Sequence, residues 1–192
     1  LIPSHHGIAV YAQDHWSIMT GPKHDYMGFS ATRNALYSSG HPAPESGLIN
    51  PFGLIKSTDG GQTWKQLGLE GESDFHTLAT SYGTNTIYVF NHQVNSRMKA
   101  VGIYVTQSDG KTWSRVGANG LKAKVNNLAV HPHNANILSV GAGDGLYLSR
   151  DAGDHFERRV SGKHVLAQWF DLDGDRLWFA SYAGEPILSR IA

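Results

Sequence analysis

Short apolar segments alternate with polar, glycine-rich turns along the whole chain. Typical apolar segments are Gly102-Ile103-Tyr104-Val105 and Thr86-Ile87-Tyr88-Val89-Phe90, and Gly, Asn, Asp and Pro separate them. No stretch keeps the helical apolar period of about 3.6 residues for more than a turn or two. This pattern predicts short β-strands joined by tight turns, with little helix.

One polar motif ends in an aromatic residue and recurs three times. The three aromatic residues are 49 and 43 residues apart, and apolar strands recur in phase with them. Each unit therefore holds four short strands, an arrangement typical of a β-propeller blade. The copies are Lys56-Ser57-Thr58-Asp59-Gly60-Gly61-Gln62-Thr63-Trp64, Thr106-Gln107-Ser108-Asp109-Gly110-Lys111-Thr112-Trp113 and Ser149-Arg150-Asp151-Ala152-Gly153-Asp154-His155-Phe156.

The repeat predicts an all-β propeller of four-stranded antiparallel blades. A single domain or fragment over 1–192 divides into blade segments at about 1–22, 23–70, 71–119, 120–162 and 163–192. Both ends fall inside a blade, which favours a fragment of a six- or seven-bladed ring. The alternative is that the ends pair to close a small ring of four or five blades.

The repeated motif predicts a self-closing hairpin. Its glycine tolerates positive φ, its acid accepts hydrogen bonds from turn amides, and its aromatic ring packs between neighbouring sheets. In the second copy Ser108 stands where the acid is expected, so a rearranged turn is expected there. The residues assigned to this structural role are Ser57, Asp59, Gly61, Trp64, Asp109, Gly110, Trp113, Ser149, Asp151, Gly153 and Phe156.

Composition excludes several classes of function. The chain has 16 basic and 16 acidic residues, so no general positive field would attract nucleic acid. It has no cysteine, which excludes disulfides, thiolate catalysis and Cys-based zinc sites. No apolar run approaches the roughly 18 to 20 residues that span a bilayer.

The motif resembles the Asp-box, or BNR-repeat, of sialidase-like propellers, and the chain is most similar to exported bacterial propellers named as glycosyl hydrolases. This resemblance implies a secreted or cell-envelope location in a bacterium. The Phe-Arg-Ile-Pro signature of sialidases is not found in the chain, so the resemblance implies the scaffold without a complete sialidase site. The residues that carry it include His5-His6-Gly7, Asp25-Tyr26-Met27-Gly28-Phe29, Ser39-Gly40-His41-Pro42, Asp74-Phe75-His76 and Ala129-Val130-His131-Pro132.

Loops between second and third strands, and between blades, open on one face of a propeller, where most of the histidines map. We expect a ligand site at this channel mouth, with Ser39 to Gly47 as a contacting loop. Carboxylates there would serve as the acid and base of a glycosidase, namely Asp25, Asp74 and Glu45. Candidate ligand-binding residues are Tyr26, His41, His76, His92, Arg97 and His164, and candidate ligands of a divalent metal are His5, His6, His41 and His76.

Two functions follow from this reading. The first is a non-catalytic scaffold that binds a glycan, a peptide or a metal at the mouth; no cofactor other than a divalent metal is indicated. The alternative is an exported glycoside hydrolase acting on carbohydrate. The absence of the sialidase residues favours the scaffold, although fold alone does not decide function.

Overall fold

The structure, a computed structural model, describes residues 1–18 and 21–192, and the described residues form 18 strands and one short 3₁₀ turn. The strands alternate with turns in which glycine adopts positive φ, as the apolar pattern predicts. The 3₁₀ turn covers Pro44–Ser46. The strands are β1 Ile2–Ser4, β2 Gly7–Ala12, β3 His15–Ile18, β4 Asp25–Ala31, β5 Leu36–His41, β6 Leu54–Ser57, β7 Lys65–Gly68, β8 Leu78–Thr80, β9 Ile87–Asn91, β10 Gly102–Thr106, β11 Ser114–Arg115, β12 Val125–Val130, β13 Leu138–Ala142, β14 Gly145–Ser149, β15 Glu157–Ser161, β16 His164–Phe170, β17 Leu177–Tyr182 and β18 Pro186–Ile191.

These strands form five antiparallel sheets, each a meander in chain order. Blades 2, 3 and 4 have four strands each (β4–β7, β8–β11 and β12–β15), and blades 1 and 5 have three (β1–β3 and β16–β18). The first strand of each blade packs against the first strand of the next. The protein is therefore a five-bladed β-propeller in its described residues, and the predicted ring of six or seven blades is wrong.

The apolar core is divided among the four spaces between consecutive blades. Each space has its own buried cluster, because one sheet cannot cover its own apolar face. Tyr37 and Leu54 of blade 2 pack against Ile87 and Val89 of blade 3, and Tyr88 of blade 3 shares a cluster with Leu138 of blade 4. Blades 1 and 5 expose large apolar side chains, including Trp16 and Leu188, each 60% exposed.

Each of the three motif hairpins, residues 57–64, 106–113 and 149–156, contributes its aromatic residue to one of these clusters. The aromatic residue of each hairpin packs against the cluster between its own blade and the preceding one: Trp64 between blades 1 and 2, Trp113 between blades 2 and 3, and Phe156 between blades 3 and 4. Gly61, at φ +96, allows the first turn to close. The spacing of the motif thus follows from the spacing of the blades.

Hydrogen bonds close the first and third motif hairpins in the same way. Ser57 Oγ accepts a hydrogen bond from Gly61 N at 2.8 Å, and Asp59 accepts one from Thr63 N at 3.0 Å. In the third hairpin Ser149 and Asp151 take these two roles. Donors from Thr63 and Ser57 hold the pKa of Asp59 well below its usual range, and donors from His155 and Ser149 lower the pKa of Asp151 to about 2.

The second motif hairpin uses different residues for the same contacts. Thr106 Oγ1 accepts from Gly110 N at 3.1 Å, and Ser108 Oγ accepts from Thr112 N at 3.0 Å. Asp109 instead turns toward blade 2, where it accepts hydrogen bonds from Lys56 Nζ and Tyr37 Oη, both at 2.7 Å. The turn is therefore rearranged as expected: Ser108 accepts the turn hydrogen bond, and Asp109 connects blade 3 to blade 2.

Candidate functional site

His41, Asp74 and His76 form a compact cluster between blades 2 and 3. His41 is the last residue of β5, and the other two lie in the segment that connects β7 to β8. Asp74 Oδ2 lies 3.1 Å from His41 Nε2 and 2.5 Å from His76 Nε2. One atom from each side chain, all three within 4.8 Å of one another, gives a group of nitrogen and oxygen atoms suited to a divalent transition metal.

Phe75 determines how Asp74 and His76 are presented. Its ring is 1% exposed and packs on Trp113, with ring centroids 5.9 Å apart. Its amide donates to Ser39 Oγ at 2.9 Å, two residues before His41 on β5. Phe75 is buried whereas Asp74 is half-buried and His76 is exposed, so the two side chains that flank the buried ring face outward beside His41.

Asn50 orients the ring of His41. Its Oδ1 lies 2.7 Å from His41 Nδ1, so Nδ1 carries the hydrogen of that contact. The other ring nitrogen, Nε2, lies 3.1 Å from the Asp74 carboxylate, a contact that a shared proton or a bound cation would each satisfy.

The carboxylate of Asp74 is only partly satisfied by its neighbours. The side chain is 17% exposed, and Oδ2 faces both imidazoles. Oδ1 is buried and has no hydrogen-bond partner among the described residues. A buried carboxylate oxygen without a partner is costly, and such groups are often functional.

A cavity of about 540 Å³, lined mainly by polar residues, opens beside the cluster. It lies between the segment before β8, the loop after β9 and the start of β12. Asp74 is the only acidic residue among the described residues that line it. The lining residues are Ser73, Asp74, His76, Thr77, Asn91, His92, Gln93, Lys124, Val125 and Asn126.

The loop from Asn91 to Ala100 borders this cavity and is held in place by hydrogen bonds. Asn95 donates to Ser73 Oγ at 2.8 Å and accepts from the amides of Arg97 and Met98. Glu72 accepts from Ser96 N at 2.6 Å, which ties the loop to the segment before β8. Met98 is fully buried beneath the loop.

The structure brings some of the predicted site residues together. His41, Asp74 and His76 form the cluster, and His92 lines the cavity with its ring edge-on to Phe90. His5 pairs separately with Asp25, at 2.9 Å between Nδ1 and Oδ1. His6 is exposed in the β1–β2 turn and is not part of the cluster.

Other predicted residues do not reach the cavity. Tyr26 is 3% exposed and belongs to the core, where Oη donates to Pro22 O. Arg97 donates to the carbonyls of Leu67 and Gly110. Glu45 lies in the exposed 3₁₀ turn and His164 at the exposed start of β16, and neither lines the cavity.

Sequence reasoning missed Asn50 and Lys124. Asn50 lies at the far end of the loop that follows β5, and Gly71 N donates to the adjacent Pro51 O at 2.8 Å. Lys124 lies one residue before β12 on the cavity wall. Asn50 lies just beyond the predicted contacting loop, Ser39 to Gly47, and nothing in the sequence pairs that side chain with His41.

Comparison with solved structures supports the fold. A gluconolactonase from Xanthomonas campestris matches 98% of this chain with a TM-score of 0.66 and 16% identity, and 66% of the gluconolactonase is covered. A GH74 enzyme from Niastella koreensis matches 87% of this chain with a TM-score of 0.63 and 16% identity, and 28% of that enzyme is covered. A chain of a nidogen/laminin complex gives a TM-score of 0.62 at 11% identity, with 97% of this chain and 75% of that chain covered.

These likenesses show a β-propeller and, at such identities, nothing beyond the fold. The chain spans just under two thirds of the gluconolactonase and about a quarter of the GH74 enzyme. No protein-family model matches the chain, and no curated protein matches its sequence. Among the described residues, none belongs to a helix long and apolar enough to cross a membrane.

Proposed function

We propose that this propeller is a binding scaffold that holds a divalent transition-metal ion at His41, Asp74 and His76, beside a cavity for a polar ligand. The observation that carries the proposal is the convergence of two imidazole nitrogens on one carboxylate oxygen, with His41 Nδ1 bonded to Asn50 and His41 Nε2 directed inward. Two imidazoles and a carboxylate are a common ligand set for zinc.

One of the two distances in the cluster already suits a small ion. In a tetrahedral zinc site with bonds of about 2.0 to 2.1 Å, neighbouring ligand atoms lie about 3.3 Å apart. The distance of 3.1 Å between His41 Nε2 and Asp74 Oδ2 is close to that value, whereas the distance of 2.5 Å between His76 Nε2 and Asp74 Oδ2 is that of a hydrogen bond. Uptake of an ion would therefore replace this hydrogen bond and move His76 and Asp74 apart.

The contact between Asn50 and His41 supports the same proposal. Histidine ligands of metals usually donate their second ring nitrogen to an oxygen acceptor, which fixes the tautomer and orients the ring. His41 has such an acceptor 2.7 Å from Nδ1. The backbone bond from Gly71 to Pro51 holds this acceptor near the linker that carries the other two ligands.

The glycoside hydrolase alternative is less well supported by the geometry. Glycoside hydrolysis needs two carboxyl groups on either side of the scissile bond. Asp74 is the single carboxylate on the described wall of the cavity, Asp25 pairs with His5, and Glu45 is exposed elsewhere. The export implied by the resemblance to bacterial propellers remains part of the proposal, and secretion of a tagged full-length protein would test it.

Metal titration tests the proposed site. A second group, Asp151, Asp154 and His155, lies exposed on the third motif hairpin and would also take up zinc, so the starting protein carries His155→Gln. Calorimetry with Zn²⁺ should show one equivalent bound, and Co²⁺ should give the visible absorption of a tetrahedral ion. Loss of an outer-shell contact costs about 10- to 100-fold in affinity, so we expect His41→Gln and His76→Gln to cost more than about 100-fold.

The control is His164→Gln, which removes an exposed histidine outside the cluster and should leave the isotherm unchanged. Thermal unfolding of each variant, followed by circular dichroism, would show that the fold is retained. Absence of zinc binding, or an affinity that His41→Gln does not alter, contradicts the proposal and favours an ion-paired cluster without a metal.

A further inference from the structure

The proposed ion would have an unfilled coordination position. Three protein ligands leave the fourth position of a tetrahedral site for water or a bound ligand. Asp74 and His76 line the cavity, whereas His41 approaches from the end of β5 and does not line it. With the protein ligands on one side of the ion, the free position is directed into the cavity.

The charge of the loaded cavity would be positive. A divalent ion with two neutral imidazoles and one carboxylate has a net charge of +1, and Lys124 adds a second positive charge. Lys124 has no ion pair or hydrogen bond among the residues that the structure describes. With Asp74 as the single described acid on the wall, no other carboxylate offsets this charge, and a concave positive site attracts anions.

Several side-chain amides on the wall are engaged by neighbouring carbonyls. The amide group of Asn91 donates to Gln93 O, that of Gln93 to Glu72 O, and that of Asn126 to Val165 O. These contacts fix the orientation of the three amides. The hydroxyl groups of Ser73 and Thr77, the His92 ring and the Lys124 ammonium group also line the cavity, and Lys124 is the only lysine or arginine among the described lining residues.

His92 and Lys124 belong to the same electrostatic neighbourhood as the cluster. All four of these groups, His76, His92, Asp74 and Lys124, line the same cavity. Lys124 is therefore the cation available to a ligand that also contacts the proposed ion.

We propose that the cavity binds a small oxyanion, a carboxylate or a phosphate, with one oxygen on the ion held by His41, Asp74 and His76 and another beside Lys124. The inference rests on the proposed function. A volume of about 540 Å³ accommodates a small organic acid or phosphate ester together with water. A ligand with two oxygens would use both the proposed ion and the Lys124 ammonium group, which line the same cavity.

The test uses cobalt-loaded, desalted protein carrying His155→Gln. Titration with acetate in one arm and inorganic phosphate in the other should shift the visible absorption of the bound cobalt in a saturable way. The arm with the lower half-saturation concentration identifies the preferred oxyanion. The metal-free protein should bind neither anion measurably by calorimetry.

Lys124→Gln tests the second attachment point. Because Lys124 is exposed and an exposed ion pair contributes at most about 1 kcal/mol, we expect anion binding to weaken about fivefold while cobalt affinity stays the same. Lys122→Gln is the matched control, since Lys122 is an exposed lysine two residues away that does not line the cavity. It should leave both affinities unchanged.

The outcomes separate the two proposals. If cobalt binds but neither anion changes its spectrum, or if Lys124→Gln and Lys122→Gln behave alike, the oxyanion inference is overturned and the metal site stands. If cobalt does not bind, both are overturned. A cobalt spectrum that shifts with anion and weakens only in Lys124→Gln supports the inference.

Discussion

At the scale of single residues, the chemistry depends on side chains that come from distant parts of the sequence. The positions of the loops between strands and between blades predicted that His41, Asp74 and His76 lie on one face. The structure places their ligand atoms within 4.8 Å of one another. Sequence could not supply that distance, because it depends on the bond from Phe75 N to Ser39 Oγ. Tyr26 was expected to face the ligand, but its side chain is buried in the core. Its direction could not be counted along the strand, because the pairing of β4 with β5 shifts register between Tyr26 and Phe29.

Asn50 gives a prediction at this scale. Asn50→Leu removes the acceptor of His41 Nδ1 and keeps a side chain of similar size, so the ring loses its fixed orientation. We expect zinc affinity to fall about 10- to 100-fold by calorimetry, as for other outer-shell changes. Asn34→Leu, an exposed asparagine in the β4–β5 turn, is the control. Equal affinities in the two variants would show that Asn50 does not position His41.

His155 gives a second residue-scale prediction. The hydrogen bond that the His155 ring donates to Asp151 and the charge of Asp154 raise the pKa of His155. In an NMR titration, Asp151→Asn and Asp154→Asn should each lower that pKa toward 6.5, with the larger change for Asp151→Asn. A His155 pKa that neither substitution changes would contradict these contacts.

The raised pKa of His155 and the lowered pKa of Asp151 together define the pH range in which the third motif hairpin is most stable. The raised pKa of His155 means that its contribution is complete below pH 6.5 and is lost as the pH rises through the folded value. The lowered pKa of Asp151 means that its contribution is complete above its ordinary range and is lost as the pH falls through about 2. The protection of the hairpin amides, measured as their exchange rate relative to that of an unstructured peptide at the same pH, should therefore be greatest in mildly acidic solution.

At the scale of elements, the motif hairpins show what a repeat does and does not determine. The spacing of glycine and aromatic residue predicted three equivalent turns, and all three close with a glycine at positive φ. The sequence could not show that Ser108 would take the place of the acid, since a hydroxyl and a carboxylate can accept the same amide hydrogen. Asp109 was free to join Lys56 and Tyr37 instead.

Replacing Asp109 tests this link between blades. Burial opposes its ionisation, but hydrogen bonds from Lys56 and Tyr37 lower the pKa of Asp109, and the same ion pair raises the pKa of Lys56. The stabilisation from Asp109 is therefore present above about pH 4 and is lost as the pH falls below that value. Because the pair is part-exposed, Asp109→Asn should lower the free energy of unfolding by about 1 kcal/mol at pH 7.

Urea denaturation at pH 7 and at pH 3 measures this effect. The difference between the wild-type protein and Asp109→Asn should shrink at the lower pH, because the carboxyl group of the unfolded chain takes up a proton below its ordinary pKa. Glu185→Gln, which alters an exposed acid in the β17–β18 turn, is the control. A difference that is the same at both pH values would show that the charge of Asp109 does not stabilise the fold.

At the scale of the whole molecule, the β-propeller was predictable and the blade number was not. The alternation of short strands and the phase of the repeat gave four-stranded units, as found in blades 2, 3 and 4. The expected six or seven blades came from the resemblance rather than from the apolar pattern. A local pattern sets the strands of one blade, whereas the number of blades depends on how sheets pack around the centre.

Phe75 connects the fold to the site at this scale. It fills the space between blades 2 and 3 and is 1% exposed, so Phe75→Ala should lower the free energy of unfolding by about 3 kcal/mol or more. The same change should weaken zinc binding, because the flanking Asp74 and His76 lose their anchor. Phe75→Leu should recover most of both properties, as measured by urea denaturation and calorimetry. Full zinc affinity in Phe75→Ala would show that the linker holds its shape without the ring.

The ligands of the proposed ion come from the end of β5 and from the linker to β8, which follows two strands later. An ion coordinated by both would act as a clasp across that junction. The linker could then lift from the sheet only after a metal–ligand bond had broken, so the kinetics of opening would become the kinetics of metal release. Occupancy would thereby change how long this junction stays closed, even where the average structure is the same.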